Sequence, residues 1–186
     1  MDRNGTPPLW RRSPGFATLV RLILEQQVSL ASGAAAYHRL EARLGEVQPE
    51  TFLSLDDREL KAIGFSRQKT RYVRLLSQGV LGDEFDLDGV AGLDDEAAMA
   101  TLQRLVGVGP WTAGTYLLFA LGRQDVWPTG DRALVVSLGR ALGRATPPSY
   151  EEAHEIADGW RPWRSVAARL LWHDYLGGAA YDPAGF

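Results

Sequence analysis

The sequence contains no cysteine. That absence excludes a disulfide framework, a Cys-ligated zinc site and an iron–sulfur cluster. Histidine is scarce: His38, His154 and His173 stand far apart, without metal-ligand spacing, and read as structural. No apolar run reaches the roughly 18 residues of a membrane span. Residues 1–6 lack the basic-then-apolar layout of a secretory signal, so a cytoplasmic location is expected. Alternating apolar and polar residues are also missing: Leu134-Val135-Val136 is short and sits in helical context. There is no internal repeat. An excess of positive charge is absent too, with 20 basic against 23 acidic residues and a net charge of −3. This weighs against a nucleic-acid partner, because DNA-binding domains are usually basic. The distribution weighs the other way. Residues 83–96 hold seven acids and no base, while basic residues cluster at Arg67, Lys69, Arg71 and Arg74, at Arg132, Arg140 and Arg144, and at Arg161, Arg164 and Arg169.

What remains is helical almost throughout, and 186 residues suit one domain or one domain built of two lobes. Phe16, Leu19, Val20, Ile23 and Leu24 recur at helical spacing. Ser29 and Ser66 are placed to cap helices carrying Leu30, Ala34, Tyr37, Leu40 and Leu44, and Tyr72, Val73, Leu75 and Leu76. Short elements fall near 51–55 and 57–63. Residues 79–95 read as an acidic loop. Asp94 caps a helix expected to reach Leu105, Pro110 opens one reaching about Leu121, and Asp131 opens one to about Leu142. Ser149-Tyr150-Glu151-Glu152 reads as a capping box, and Pro162 as the start of a helix through Tyr175. Many short helices with short connections predict an all-α protein.

The most informative segment is Leu105-Val106-Gly107-Val108-Gly109-Pro110-Trp111-Thr112-Ala113, followed by Pro128-Thr129-Gly130-Asp131-Arg132. Glycines let backbone N–H groups approach a phosphate, and a helix start favours an anion. A lone acid then lies in a turn beyond that helix. The combination suits a chain that grips a nucleic-acid backbone and presents a carboxylate to a nucleotide. Each part has a plainer alternative. The Gly-Val-Gly triplet occurs in ordinary helix connections, and Asp131 can serve as an N-cap. Gln26 and Gln27 can be solvated or can probe base edges. Six tryptophans (Trp10, Trp111, Trp127, Trp160, Trp163 and Trp172) suit core packing individually, Trp111 excepted because it adjoins the turn.

These residues resemble the helix-hairpin-helix DNA glycosylase superfamily, within it the 3-methyladenine DNA glycosylase II branch. The resemblance rests on Ile23-Leu24-Glu25-Gln26-Gln27-Val28-Ser29, on Ile63-Gly64-Phe65-Ser66-Arg67-Gln68-Lys69, on the hairpin through Asp131, and on Trp160-Arg161-Pro162-Trp163-Arg164-Ser165. It implies an all-α, two-lobed fold over residues 1–186, with the active site between the lobes and no additional N-terminal β domain. It implies Asp131 as the catalytic acid, and Trp111 and Trp172 as aromatics stacking on an extruded base. Gly107, Gly109 and Thr112 become phosphate contacts. Gln26 and Gln27 become residues that fill the gap left by the flipped nucleotide. The carbonyls of Gln103, Leu105 and Val108 become ligands of a structural Na+ or K+. Trp111 stands where strand-cleaving relatives carry a lysine, which implies a glycosylase without lyase activity.

The implied partner is double-stranded DNA with damaged bases, met by a nucleoid-associated monomer without membrane contact. Thr115, Gln27 and Arg132 depart from some relatives. A glycosylase for neutral lesions such as uracil or mispaired bases, and a non-catalytic helix-hairpin-helix DNA-binding module, are the competing expectations.

Overall fold

A computed structural model of the chain describes residues 4–177. Among these residues ten α-helices follow one another: α1 (Phe16–Glu25), α2 (Leu30–Leu44), α3 (Pro49–Leu53), α4 (Asp57–Ile63), α5 (Arg67–Leu81), α6 (Asp95–Gln103), α7 (Pro110–Phe119), α8 (Arg132–Ala141), α9 (Tyr150–Asp158) and α10 (Arg164–Tyr175). No strand is present among the described residues. None of these helices is long and apolar enough to cross a membrane.

The starts of the helices follow local hydrogen bonding. Side chains of Ser29, Asp56, Ser66, Asp94, Asp131 and Ser149 each accept the backbone N–H three residues on. Each such cap satisfies a donor that the helix itself leaves unpaired.

Several ends differ from expectation, each for a stated reason. α6 stops at Gln103 rather than Leu105, because Arg104 and Leu105 bond back only three residues, to Thr101 and Leu102. α7 stops at Phe119, and the left-handed Gly122 (φ +67°) lies beyond it. Ser149 caps α9, but Glu152 turns to Arg144 at 2.6 Å, so the reciprocal arm of the capping box is not made. α10 starts at Arg164 rather than at Pro162. The N–H groups of Arg164 and Ser165 are taken by Asp125 Oδ1 (3.3 Å) and the Gln124 carbonyl (3.0 Å), both in the connection ahead of α8. The expected loop at 79–95 contains the end of α5 and a 3-10 turn at Gly89–Gly92.

Two apolar cores form. The larger is centred on α1, whose Leu19, Val20, Leu22 and Ile23 have no exposed surface, packed among α2 to α7. A helix apolar on nearly every side belongs at the middle of a bundle. The smaller joins Leu118 and Trp127 to Leu134, Val135 and Leu138 of α8, Ala153 and Ala157 of α9, and Ala168 and Leu171 of α10. α7 serves both, offering Ala113, Tyr116 and Leu117 to one and Leu118 to the other. A partly buried joint ties the start of α1 to α7: Gly15 N–H donates to the Tyr116 hydroxyl at 2.9 Å.

Candidate active site

The hairpin between α6 and α7 is shaped by glycine at two positions for different reasons. Gly107 has φ +90°, and a Cβ there would overlap the ring of Tyr72. Internal packing therefore demands it. Tyr72 is itself fixed by a hydrogen bond from the Gln68 amide. Gly109 is extended (φ −92°, ψ −177°), and a Cβ there would meet nothing within 4 Å. Nothing within the chain requires glycine at 109; the bare backbone is left open to whatever approaches from outside. No side chain caps α7 at this end. Its first-turn N–H groups lack intrahelical partners and face the positive end of the helix dipole, the arrangement that receives an anion.

Gln26 closes the back of the hairpin. Its side-chain amide donates to the Gly107 carbonyl and to Thr112 Oγ1, both at 2.8 Å. Two expected DNA contacts thus have partners inside the protein. Both N–H groups of the Gln26 amide are spent on the hairpin. The Thr112 side chain, 2% exposed, faces Gln26 rather than a phosphate, and only its backbone N–H stays at the helix end. Gln27 is different. It is exposed, lines the cleft, and takes a left-handed conformation (φ +56°) that non-glycine residues rarely adopt. Lys69 holds the preceding turn by donating to the carbonyls of Leu24 (2.7 Å) and Gln26 (2.8 Å), and burial lowers its pKa.

Asp131 opens α8, and both its oxygens are engaged. Oδ1 accepts the Leu134 N–H at 2.9 Å as the N-cap. Oδ2 accepts the Trp111 indole N–H at 2.7 Å. The second oxygen is thus bonded rather than free, which fixes the carboxylate in orientation while leaving lone pairs for a further donor. Trp111 and Asp131 are partly buried.

A cleft of about 1760 Å³ runs past this pair and opens to solvent. Trp111, Thr115, Asp131 and Trp172 line it, so two tryptophans 61 residues apart in the sequence meet one space. Trp172 also packs on Phe119 (ring centroids 5.2 Å apart, 32° between planes) and against the smaller core. Of the other tryptophans, Trp10 and Trp127 are buried, but Trp163 is 55% exposed and belongs to no core.

The carbonyls proposed to hold a monovalent cation sit where α6 runs out, at its negative end. Leu105 O accepts the Val108 N–H at 3.0 Å, which leaves it one lone pair. Gln103, Leu105 and Val108 all border the cleft, and this donor set fits a hard monovalent cation. Among the described residues no cluster of His, Asp or Glu could hold a metal ion.

The basic clusters divide. Arg164 and Arg161 pair with Asp125 at 2.8 and 3.2 Å, and Arg169 donates to the carbonyls of Leu9 and Leu118. The cluster is spent on carboxylates and carbonyls of the chain, although the Arg161 side chain stays 54% exposed. Arg74 pairs with Asp57. Arg104 and Arg132 are exposed and border the cleft, whereas no residue of 83–96 does.

Sequence reasoning missed the inner wall of the cleft. Trp10, Arg12, Glu25 and Phe119 line it as well. The available signal was an acid, Glu25, closing a mostly apolar helix one residue after the buried Leu24.

The chain matches the family described as HhH-GPD superfamily base excision DNA repair protein over residues 20–162. YfjP of Bacillus subtilis strain 168 is 28% identical over 183 residues, covering 92% of this chain and 62% of that protein. DNA-3-methyladenine glycosylase 2 of Escherichia coli K12 is 29% identical over 188 residues, covering 93% of this chain and 64% of the relative. The chain thus spans a little under two thirds of these relatives' length. A DNA-3-methyladenine glycosidase from Bacillus halodurans superposes with a TM-score of 0.75 at 28% identity, covering 91% of this chain and 78% of that one. The all-helical architecture is therefore that of a known group: the chain belongs to the HhH-GPD superfamily of base excision DNA repair proteins.

Proposed function

We propose that the chain is a monofunctional DNA glycosylase that extrudes alkylated bases of the 3-methyladenine type from double-stranded DNA and excises them. The observation that carries this reading is the carboxylate of Asp131, held by the Trp111 indole at 2.7 Å in a cleft that Trp172 also lines. The names borne by the Escherichia coli and Bacillus halodurans relatives point the same way.

Hairpin N–H groups and the exposed Arg104 and Arg132 hold phosphates, and Gln27 enters the space vacated by the nucleotide. Extrusion costs a few kcal/mol, less at a damaged base. Stacking on tryptophan returns about 1–3 kcal/mol. Alkylation makes the base cationic, and an indole face favours a cation by up to about 2 kcal/mol when water is excluded. The C1′–N bond then breaks, and its electron pair leaves with the base. Positive charge builds on the sugar, where Asp131 stabilises it and orients a water. Water adds to C1′ and loses its proton, leaving a free base and an abasic site. Trp111 offers no amine, so no Schiff base forms and the strand is not cut. A Na+ or K+ on the carbonyls of Gln103, Leu105 and Val108 would stiffen the hairpin. In this reading the protein acts as a monomer in the cytoplasm, on nucleoid DNA.

Incubation with dimethyl-sulfate-treated DNA tests it. Free methylated purines and alkali-labile sites are expected, with no nick and no adduct on borohydride treatment. DNA binding without base release would favour a non-catalytic module. Release of uracil with no methylated purine would overturn the substrate class.

A further inference from the structure

Behind the aromatic part of the cleft lies a charge cluster that the excision chemistry above does not use. Arg12 makes a two-pronged bond to Glu25, Nη1 to Oε2 at 3.0 Å and Nη2 to Oε1 at 2.8 Å. The Glu25 side chain is 3% exposed and that of Arg12 is 13% exposed. Arg21 adds a longer contact from the far side, Nε to Glu25 Oε1 at 3.4 Å, but only Arg12 and Glu25 reach the cleft. The fold makes room for this carboxylate. Gly33 of α2 lies against it so closely that a Cβ would come within 2.9 Å of Glu25 Cγ. Arg12 is also set from its other side. Its N–H donates to the Phe119 carbonyl at 3.0 Å, and its guanidinium lies 5.7 Å from the centre of the Phe119 ring, which in turn packs on Trp172.

Taking a carboxylate and a guanidinium out of water is costly, and an apolar pair of similar size would pack as well or better for stability alone. The pair therefore suggests a use in the cleft. A guanidinium has five N–H donors in a rigid fork, and two are given to Glu25. The rest can meet an acceptor in the cleft. The Glu25 charge offsets that of Arg12, which keeps the wall from repelling a cationic ring.

We propose that Arg12, positioned by Glu25, is a specificity-determining residue that donates to an exocyclic carbonyl oxygen on the extruded base. Within the alkylated bases proposed above as substrates, it raises release of those that carry such an oxygen, as guanine does, relative to adenine-derived bases, whose amino group offers a donor at that edge and which remain substrates. A donor facing a donor leaves the remaining N–H groups of the guanidinium without an acceptor on the base, which disfavours an adenine-derived base by about the value of one hydrogen bond to a charged donor. This inference rests on the glycosylase reading.

One experiment separates the two. Dimethyl-sulfate-treated DNA supplies both 7-methylguanine and 3-methyladenine, and chromatography measures their release under single-turnover conditions. Arg12→Gln should lower the ratio of 7-methylguanine to 3-methyladenine release about tenfold, the value of a hydrogen bond to a charged donor. Because this variant leaves Glu25 buried with a weakened partner, the double variant Arg12→Met with Glu25→Gln is tested beside it, with thermal unfolding to establish folding. The same fall in ratio is expected there. An unchanged ratio in a folded double variant overturns the role of Arg12 and leaves the glycosylase reading intact. An equal fall for both bases makes the pair a structural support and also overturns it. Release of neither base by the parent protein overturns the glycosylase reading, and this inference with it.

Discussion

Trp111 and Asp131 stand 20 residues apart in the chain and 2.7 Å apart in space, indole N–H to carboxylate Oδ2. The tryptophan expected to stack on a base thus also aims the acid expected to act on the sugar. Each oxygen of Asp131 has its own donor, Trp111 on one side and the start of α8 on the other. The carboxylate is therefore set before any substrate arrives, and preorganisation of this kind is where electrostatic catalysis gains most.

Asp131→Asn tests that assignment cleanly. Asparagine is also a good N-cap, so α8 should survive. It has one acceptor oxygen for two donors, so a stability loss of about 1 kcal/mol is expected. Base release should fall by about 10²–10³-fold or more, with affinity for undamaged DNA kept. A folded variant that excises at the parent rate would falsify the role of Asp131.

Gly107 and Gly109 should respond differently to alanine. At 107 the new Cβ meets the Tyr72 ring in a left-handed backbone, so Gly107→Ala should cost about 1–3 kcal/mol or more in stability and weaken DNA binding as well. At 109 the backbone is extended and the space empty, so Gly109→Ala should leave the melting temperature nearly unchanged. Its effect should appear in DNA affinity alone. Paired thermal melts and filter-binding titrations decide the matter. Equal behaviour of the two variants would contradict the view that only Gly109 is kept bare for an outside ligand.

Gln26 and Gln27 are adjacent but should divide into structure and function. Gln26→Ala removes two hydrogen bonds that join α1 to both sides of the hairpin. A loss of about 1–3 kcal/mol is expected, along with weaker binding of all DNA. Gln27→Ala touches an exposed side chain. It should leave stability within about 0.5 kcal/mol and lower excision from duplex more than from single-stranded substrate. Comparing the two substrates distinguishes a gap-filling residue from one that only contacts the backbone.

The joint between α10 and the connection ahead of α8 should titrate with acid. Burial works to raise the Asp125 pKa, but its bonds to Arg164 and the nearby charge of Arg161 outweigh this and hold it below the usual carboxylate value. A group whose folded value is depressed stabilises the protein above its unfolded value, about 3.9 for Asp, and that contribution is lost as pH falls through the folded value. Asp125→Asn should therefore lower stability at pH 7 by about 1–3 kcal/mol. The gap between parent and variant should narrow as pH drops below about 4. Melting curves from pH 7 to pH 3 measure this, and a gap that widened with acid would have the wrong sign.

The helices and the hairpin were legible in the sequence because their causes are local. A side-chain oxygen at Ser29, Ser66, Asp94 or Asp131 bonds a backbone N–H only three residues away, and apolar spacing along α1 needs no partner to be read. The glycine turn, Pro110 and the lone acid after it are likewise features of one short stretch. The start of α10 departs from the sequence expectation because its first N–H groups are taken by distant residues, the Asp125 carboxylate and the Gln124 carbonyl, whereas α6 ends in local bonds to Thr101 and Leu102 that apolar spacing does not record.

Only the tertiary structure decided which polar groups are spent and which remain for a ligand. Gln26 and Gln27 look alike as letters and both border the cleft, yet one is bonded into the hairpin and the other is exposed. The basic clusters look equivalent, yet Arg164 and Arg169 are consumed by partners inside the chain while Arg132 is exposed at the cleft. The Arg12–Glu25 pair joins the segment ahead of α1 to the last residue of that helix, and no periodic pattern records it. Local hydrogen bonds are encoded by sequence separation. A buried charge finds its partner only when packing has brought two segments together and excluded the water between them.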